Sequence, residues 1–343
     1  MNKEIENLKK YVEDAEHIVI IQADNPDGDS LGSALGLEEI LGNIGKKVDL
    51  YCGVDIPGYL RYLSGWDRIQ SELPKKFDAS IIVDASTTSL LDKLQASGEL
   101  SWLATKPCLV LDHHASVENV IPFASVLINR PDYSSAGELI YHLSKELGWE
   151  MPVVAQEFIL TAIMGDTQGL SNQLAAPTTF RVVADMVEAG VDRIALDDKR
   201  REFGKMPPEI FRYKAALIDR TEFSSGGRMA LVVVPQNEIK EFSPLYNPAP
   251  LIQNDMLQTT GVGIAVVMKQ YDDGRVTAAI RCNNSAPIGA DLAKAMGGGG
   301  HVYASGFKDV TGRPFSDIKT QCLDTAAELL SNLDAKETPD ETS

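Results

Sequence analysis

The chain reads as an α/β protein in two parts: a larger N-terminal domain with a mainly parallel sheet flanked by helices, and a smaller C-terminal α/β domain. Three observations predict this. At 343 residues the chain exceeds the roughly 250–300 residues at which a single core stops growing. Short apolar runs alternate with helical periodicity up to about residue 190, the pattern of a parallel sheet with crossover helices. Strand-like runs return after residue 222, separated by glycine-containing turns.

Taken in order, the acidic and basic N-terminus has a helical pattern, and Ile18-Val19-Ile20-Ile21 is a buried strand. The turn Asp24-Asn25-Pro26-Asp27-Gly28-Asp29 follows, and from Leu31 the apolar residues recur at helical spacing. Residues 47–52, 79–83 and 108–111 are further strands, and helices are expected near 137–147, 154–164 and 178–189. The charged stretch Asp197 to Glu202 and the pair Pro207-Pro208 mark a connector. The predicted organisation is therefore 1–191 as first domain, 192–222 as linker, 223–333 as second domain with strands at 229–234, 263–268 and 276–281, and 334–343 as a disordered tail.

Composition narrows the function. A formal net charge of −17 opposes binding to long DNA or RNA, whose affinity comes mostly from Lys and Arg on phosphates. A small phosphorylated ligand stays compatible, because cations held by converging carboxylates reverse the local potential. The N-terminus lacks the regions of a signal peptide and no apolar run reaches membrane-spanning length, so a cytoplasmic protein with no membrane partner is expected. The four cysteines form no CxxC pair and read as reduced, mostly buried thiols.

Asp27, Asp29, Asp84 and Asp112 stand just past the carboxyl ends of predicted strands, where open α/β sheets collect ligands. Asp27 and Asp29 flank Gly28 in a turn after the first strand, an arrangement that serves a cation or, equally, a helix cap at Asp29 or Ser30. Asp84 ends the run Ile81-Ile82-Val83, and Asp166 ends Ala162-Ile163-Met164-Gly165. Asp112-His113-His114 follows another strand and contains two of the five histidines of the chain. Carboxylates and imidazole converging from separate segments favour a shared metal site over a solvated charged face.

These residues resemble the DHH phosphoesterases. Their first motif is similar to residues 25–33, the second to Val83-Asp84, the third to residues 111–114 and the fourth to Gly165-Asp166-Thr167. Gly297 to His301 followed by Ala304-Ser305-Gly306 is similar to the glycine-rich signature of the DHH-associated C-terminal domain, and the combination resembles the nano-RNase and pAp-phosphatase branch. The resemblance implies an active site in the cleft between the domains. There two divalent ions, commonly Mn2+ with Mg2+ as the substitute, would be held by Asp27, Asp29, Asp84, His113 and Asp166, with Asp84 bridging. His114 would bind the phosphoryl group or protonate the leaving oxygen, and Asp112 would orient a histidine. Arg281, Gly298, Gly299, Gly300 and His301 would hold the substrate.

One departure stands out: the family's histidine four residues before Asp27 is Ala23 here, which leaves Gln22, Asp24 or water to complete the first ion site, or that ion to bind weakly and only with substrate. The implied substrates are small: short oligoribonucleotides cut to mononucleotides, or pAp cut to AMP. A cyclic or linear dinucleotide phosphodiesterase is the alternative, and a nucleotide-binding protein with chemistry weakened at Ala23 is a further one. Ser134-Ser135-Ala136-Gly137-Glu138 matches the family's helix start and is also an ordinary capping box. Homodimerisation is left open.

Overall fold

A computed structural model describes residues 3–114, 121–243, 246–300 and 302–337. The chain divides into two compact units, Met1–Lys205 and Met206–Ser343.

In the first unit five strands, β1 (His17–Ile21), β2 (Lys47–Tyr51), β3 (Ala79–Val83), β4 (Cys108–Asp112) and β5 (Val126–Asn129), form an all-parallel sheet in the order β2-β1-β3-β4-β5. β1, β3 and β4 are buried almost throughout because both sheet faces are covered. One face carries Ile18, Ile20, Ile81, Leu109 and Leu111 into a core with the helices, and the other carries Val19, Ile21, Ile82, Cys108 and Val110 into a second apolar cluster. The helices are α1 (Lys3–Asp14), α2 (Gly28–Asn43), α3 (Asp92–Ser97), α4 (Glu99–Leu103), α5 (Ala136–Leu147), α6 (Val153–Asp166), α7 (Pro177–Glu188) and α8 (Arg193–Phe203). Strand order reverses between β1 and β3, so the loops leaving these neighbours diverge and open a crevice at their carboxyl ends.

α2 and α6 pack closely through a stripe of glycines at helical spacing. A Cβ on Gly32 would stand 2.5 Å from the Phe158 carbonyl oxygen, one on Gly36 would stand 3.0 Å from Ile159 Cγ1, and one on Gly28 would touch the Gly165 Cα at 3.6 Å. Without side chains at these positions the backbone of α2 lies against that of α6, which draws the start of α2 to the end of α6.

The second unit holds α9 (Pro208–Asp219), β6 (Glu222–Ser224), β7 (Met229–Pro235), α10 (Gln236–Phe242), α11 (Pro248–Leu257), β8 (Ile264–Gln270), β9 (Val276–Cys282), α12 (Gly289–Ala295), β10 (Gly299–Gly300), β11 (Ala304–Asp309) and α13 (Phe315–Glu337). Its mixed sheet runs β10-β11-β9-β8-β7-β6, with only β7 and β8 parallel. Alternate strand residues face two cores: Leu231, Val266 and Ile280 pack with Leu292 and Ile318, while Ala230, Val232 and Val267 pack with Ile210, Leu217 and Ile252.

Several boundaries differ from expectation. α2 begins at Gly28 with Asp27 as its cap, not near Leu31 with a cap at Asp29 or Ser30, because Asp27 accepts from the Asp29 and Ser30 backbone N–H groups. The stretch 192–222 consists largely of α8 in the first unit and α9 in the second. α13 carries helix through the start of the tail to Glu337, its inner face anchored by Ile318, Cys322, Ala326 and Leu330; residues 338–343 lie outside the described ones. All four cysteines are free and buried, and among the described residues no helix is long and apolar enough to cross a membrane.

Candidate metal centre

The crevice between β1 and β3 collects the candidate residues of the first unit. Asp27 caps α2 through bonds of 3.0 Å from both Asp29 N and Ser30 N to Oδ1. Asp29, in the first turn of α2, is fully buried and accepts from Ser33 Oγ at 2.8 Å, Ala136 N at 2.7 Å and Gly137 N at 3.1 Å. It therefore sits on the amino terminus of α5, where unpaired N–H groups and the helix dipole favour an anion. Asp84 leaves β3 in a left-handed conformation, φ +55°, which turns its side chain into the crevice at a cost of about 1 kcal/mol or more for a residue with a Cβ. Asp112 is the last residue of β4, and Asp166 is the last of α6, the helix expected near 154–164.

His113 joins these carboxylates. Its Nε2 lies 3.1 Å from Asp166 Oδ2, 3.3 Å from Asp29 Oδ2 and 3.6 Å from Asp84 Oδ1, and none of these approaches has hydrogen-bond geometry. Both His113 Nε2 and Asp84 Oδ1 are buried without a hydrogen-bond partner. Buried polar atoms are nearly always satisfied, so two orphans facing each other among carboxylates fit a bound cation. Two sets of donors meet within 4.8 Å, Asp29 with His113 and Asp166, and Asp84 with His113 and His114. Hard oxygen donors with imidazole suit Mn2+ or Mg2+ better than the thiolate-rich sets of structural zinc.

Electrostatics follow the same geometry. Burial, reinforced by Asp166, pushes the Asp29 carboxyl up to about 7, and burial with Asp29, Asp27 and Asp166 close by holds Asp84 well above the ordinary carboxylate range. Burial also raises Asp27. For His113 burial works downward, but Asp166 and Asp29 win and lift the imidazole to about 9. His114 is raised chiefly by its bond to Asp112, with Nδ1 at 2.8 Å from Asp112 Oδ1. Burial would raise Asp112, yet His114, Ser86 Oγ and the His113 N–H at 2.8 Å hold it low, so it stays an anion that fixes both histidines.

The side chains near Ala23 are buried or partly engaged, and Gln22 Nε2 and Asp24 Oδ1 are buried without a hydrogen-bond partner. Ala23 is buried in the apolar cluster with Val19, Ile21 and Ile82, Gln22 is fully buried beside Ser30, and Asp24 Oδ2 accepts from Lys93 N at 2.7 Å at the start of α3. Asp24 and Asp27 belong to neither donor set among the described residues.

In the second unit Arg281 is exposed near the end of β9, opposite Ala304 of β11. The glycine run is a helix end and a short strand: Gly297 terminates α12 at φ +79°, Gly299 pairs with Gly306 and Gly300 with Ser305. A Cβ on Gly298 would stand 2.2 Å from the Gly306 carbonyl oxygen, so this glycine serves close backbone approach within the unit. The sheet thus brings Arg281 and Gly300 to one end of neighbouring strands, and His301 lies outside the described residues.

Sequence reasoning missed the supports of this site. The glycine spacing of α2 was a readable signal. So was Glu138, which the capping-box reading covered only partly: Ser135 caps α5, while Glu138 Oε2 accepts from Ser134 N at 3.0 Å, Ser134 Oγ at 2.5 Å and Thr179 Oγ1 at 2.9 Å. Glu138 thereby fixes the helix start that grips Asp29. Replacing Glu138 by Gln is expected to lower apparent Mn2+ affinity about tenfold, the usual scale for partners behind a ligand, in a thermal-shift titration. Unchanged affinity with lowered stability would leave Glu138 a packing residue.

The model of the DHH family, N-terminal domain, matches residues 17–165. The chain is 25% identical to the bifunctional oligoribonuclease and PAP phosphatase NrnA of Thermus thermophilus, over 82% of this chain and 81% of that one. It is 23% identical to the protein of that name from Bacillus subtilis, over 89% and 94% of the two chains. An exopolyphosphatase-related protein from Bacteroides fragilis shares the fold, with a TM-score of 0.84, 22% identity and coverage of 96% of this chain and 98% of that one. The Thermus alignment spans 282 residues, more than the 205 of the first unit, so the likeness reaches into the second. Residues 17–165 thus match the DHH-family N-terminal domain, and over most of its length the chain is similar to relatives named as hydrolases.

Proposed function

We propose that the protein hydrolyses small nucleotide phosphoesters, cutting short oligoribonucleotides to mononucleotides, pAp to AMP, or both, with two divalent ions, Mn2+ or Mg2+, at the crevice. The observation that carries this reading is His113 Nε2 among Asp29, Asp84 and Asp166 with no hydrogen-bond partner, at the strand ends of a DHH-family domain. The likeness to oligoribonuclease and PAP phosphatase relatives over most of the chain supports the substrate class.

Asp29, Asp84, His113 and Asp166 would hold the ions, with Asp27 at the rim. Bound there, the ions supply Lewis-acid stabilisation of phosphoryl oxygens and a more acidic water. His114 is half exposed, and because Asp112 engages its Nδ1, Nε2 is the nitrogen left to meet substrate. Its raised affinity for a proton suits it to donate from Nε2 to the leaving oxygen. Asp112 holds that tautomer and orientation. Arg281 and the Gly298–Gly300 segment, with His301, would take the far end of the substrate. The acidic chain disfavours long nucleic acid. Cytoplasmic residence belongs to the same proposal, consistent with four free buried thiols.

The test is an assay of purified protein with MnCl2 against a short RNA ladder, pAp, pGpG and cyclic dinucleotides, with Asp84→Ala as control. Mononucleotides from RNAs of a few residues, or AMP from pAp, with no product from the control, is the expected result. Turnover confined to cyclic dinucleotides would move the protein to that class, and no turnover anywhere would make it a binding protein. In the same preparation saturating Mn2+ is expected to raise the melting midpoint by about 5–10 °C over EDTA, since a hundredfold excess over Kd adds about 2.7 kcal/mol.

A further inference from the structure

A cavity of about 580 Å³ opens beside Asp27 and Asp166, and no role described so far accounts for it. Its volume lies within the roughly 300–1,000 Å³ usual for small-molecule sites. The wall is built within the first unit, from Tyr59 and Tyr62 after β2, Met164 of α6, and Arg193, Leu196 and Arg200 of α8. Three features of the wall bear on its ligand. The first is aromatic surface left open: the Tyr59 side chain is 56% exposed, and the Tyr62 ring lies 6.5 Å from that of Phe203, itself 52% exposed. The second is cationic: Arg200 is tied to Asp197 at 2.7 Å, whereas exposed Arg193 has no ion pair among the described residues. The third is position, because Asp27 and Asp166 line the cavity and also border the metal centre.

A slot that is mostly apolar, carries an open aromatic ring and an unpaired guanidinium, and starts at a phosphoester centre matches a nucleoside in shape and chemistry. Bases stack on aromatic side chains whatever their sequence, and arginine suits phosphate. A substrate consisting of phosphate alone would leave the apolar wall without a partner. We propose that this cavity is a nucleobase subsite: one nucleoside flanking the phosphate at the metal centre lies in it, its base against Tyr59 and its sugar-phosphate edge toward Arg193. This rests on the nucleotide phosphoesterase reading above and adds which part of the substrate the first unit grips.

Isothermal titration of the full chain in MnCl2 with AMP and with ribose 5-phosphate, which lacks the base, tests it. Wild type is expected to bind AMP at least tenfold more tightly. Tyr59→Ala should erase most of that preference, Tyr59→Phe should keep it, and Arg193→Ala should weaken both ligands. Tyr59 is exposed, so matching melting midpoints will confirm that the variants fold. A wild type with no preference for AMP, or a preference that survives in Tyr59→Ala, overturns the proposal. The measurement needs no turnover: Tyr59-dependent binding in a protein that hydrolyses no nucleotide would sink the enzymatic reading and leave the subsite standing.

Discussion

Replacing Asp84 by Asn is expected to lower kcat/KM by about a thousandfold and, in the same protein without metal, to raise stability. The first effect follows from position: Asp84 Oδ1 stands 3.6 Å from His113 Nε2 and 3.7 Å from His114 Nδ1, and an amide is a weak ligand for a hard cation. Loss of one well-placed electrostatic group costs on the order of 10²–10³ in rate. The second effect comes from repulsion. Asp29, lifted to about 7 by burial and then by Asp166, and Asp84, held well above the carboxylate range by burial and then by Asp29, oppose each other's ionisation. A carboxyl raised on folding supports the fold fully only below its unfolded value near 4, and that support is lost as pH climbs through the folded value. Metal-free wild type should therefore weaken between about pH 4 and about pH 7, the window set by Asp29. The amide removes one charge from the cluster, and Asn tolerates positive φ nearly as well as Asp. A gain of about 1 kcal/mol, or 2–4 °C, is expected near pH 8, shrinking toward pH 4. Melting curves in EDTA across that range will check it; a uniform loss of stability would mean that Asp84 is held by contacts the crevice does not reveal.

Gly32→Ala should be among the most damaging one-carbon changes in the first unit. Alanine favours a helix interior by about 1 kcal/mol over glycine. Here its Cβ would stand 2.5 Å from the Phe158 carbonyl oxygen and 3.0 Å from Ala162 N, both backbone atoms that cannot swing aside. α2 and α6 must separate, and overpacking of this kind costs about 1–3 kcal/mol or more, so the clash wins. Separation also carries Asp166 away from Asp29, and activity should fall by at least about a hundredfold, as it does for misplacements near 1 Å. Gly42→Ala in the same helix meets nothing within 4 Å and should be neutral or slightly stabilising. Equal behaviour of the two variants in urea unfolding and turnover would refute the packing argument.

The residue string reveals much of this architecture because burial on both sheet faces leaves a strong signal. Ile18–Ile21 and residues 108–111 are unbroken apolar runs, residues 79–83 are interrupted only by buried Ser80, and the structure places a central strand at each. β5 escaped notice because it is a short edge strand with Ile128 as its one fully buried residue, and β10 because it is two glycines. The acidic and histidine members of the centre could be read off as carboxylates and imidazole at apolar run ends. What holds them could not: the α5 amino terminus reaches Asp29 across more than a hundred residues, and Asp84 takes a backbone conformation that no local pattern demands. Asp166 was expected after an apolar run and is found there, at the end of the helix predicted near 154–164. The cavity beside it is assembled from four separate segments and has no linear signature.

The glycines of α2 also bear on when the site comes into being. Four of its sixteen residues are Gly28, Gly32, Gly36 and Gly42, which together cost about 3–4 kcal/mol against alanine, and a helix of this length is marginal in water even with good formers. Cut free, residues 28–43 should be an unstructured peptide. In the chain they are expected to become helical as they dock on α6, which would leave the carboxylate of Asp29 without a fixed place on an early, locally formed element. Nascent protein then passes through its collapse without a preassembled cation trap, and competence to bind metal arrives together with the core rather than ahead of it.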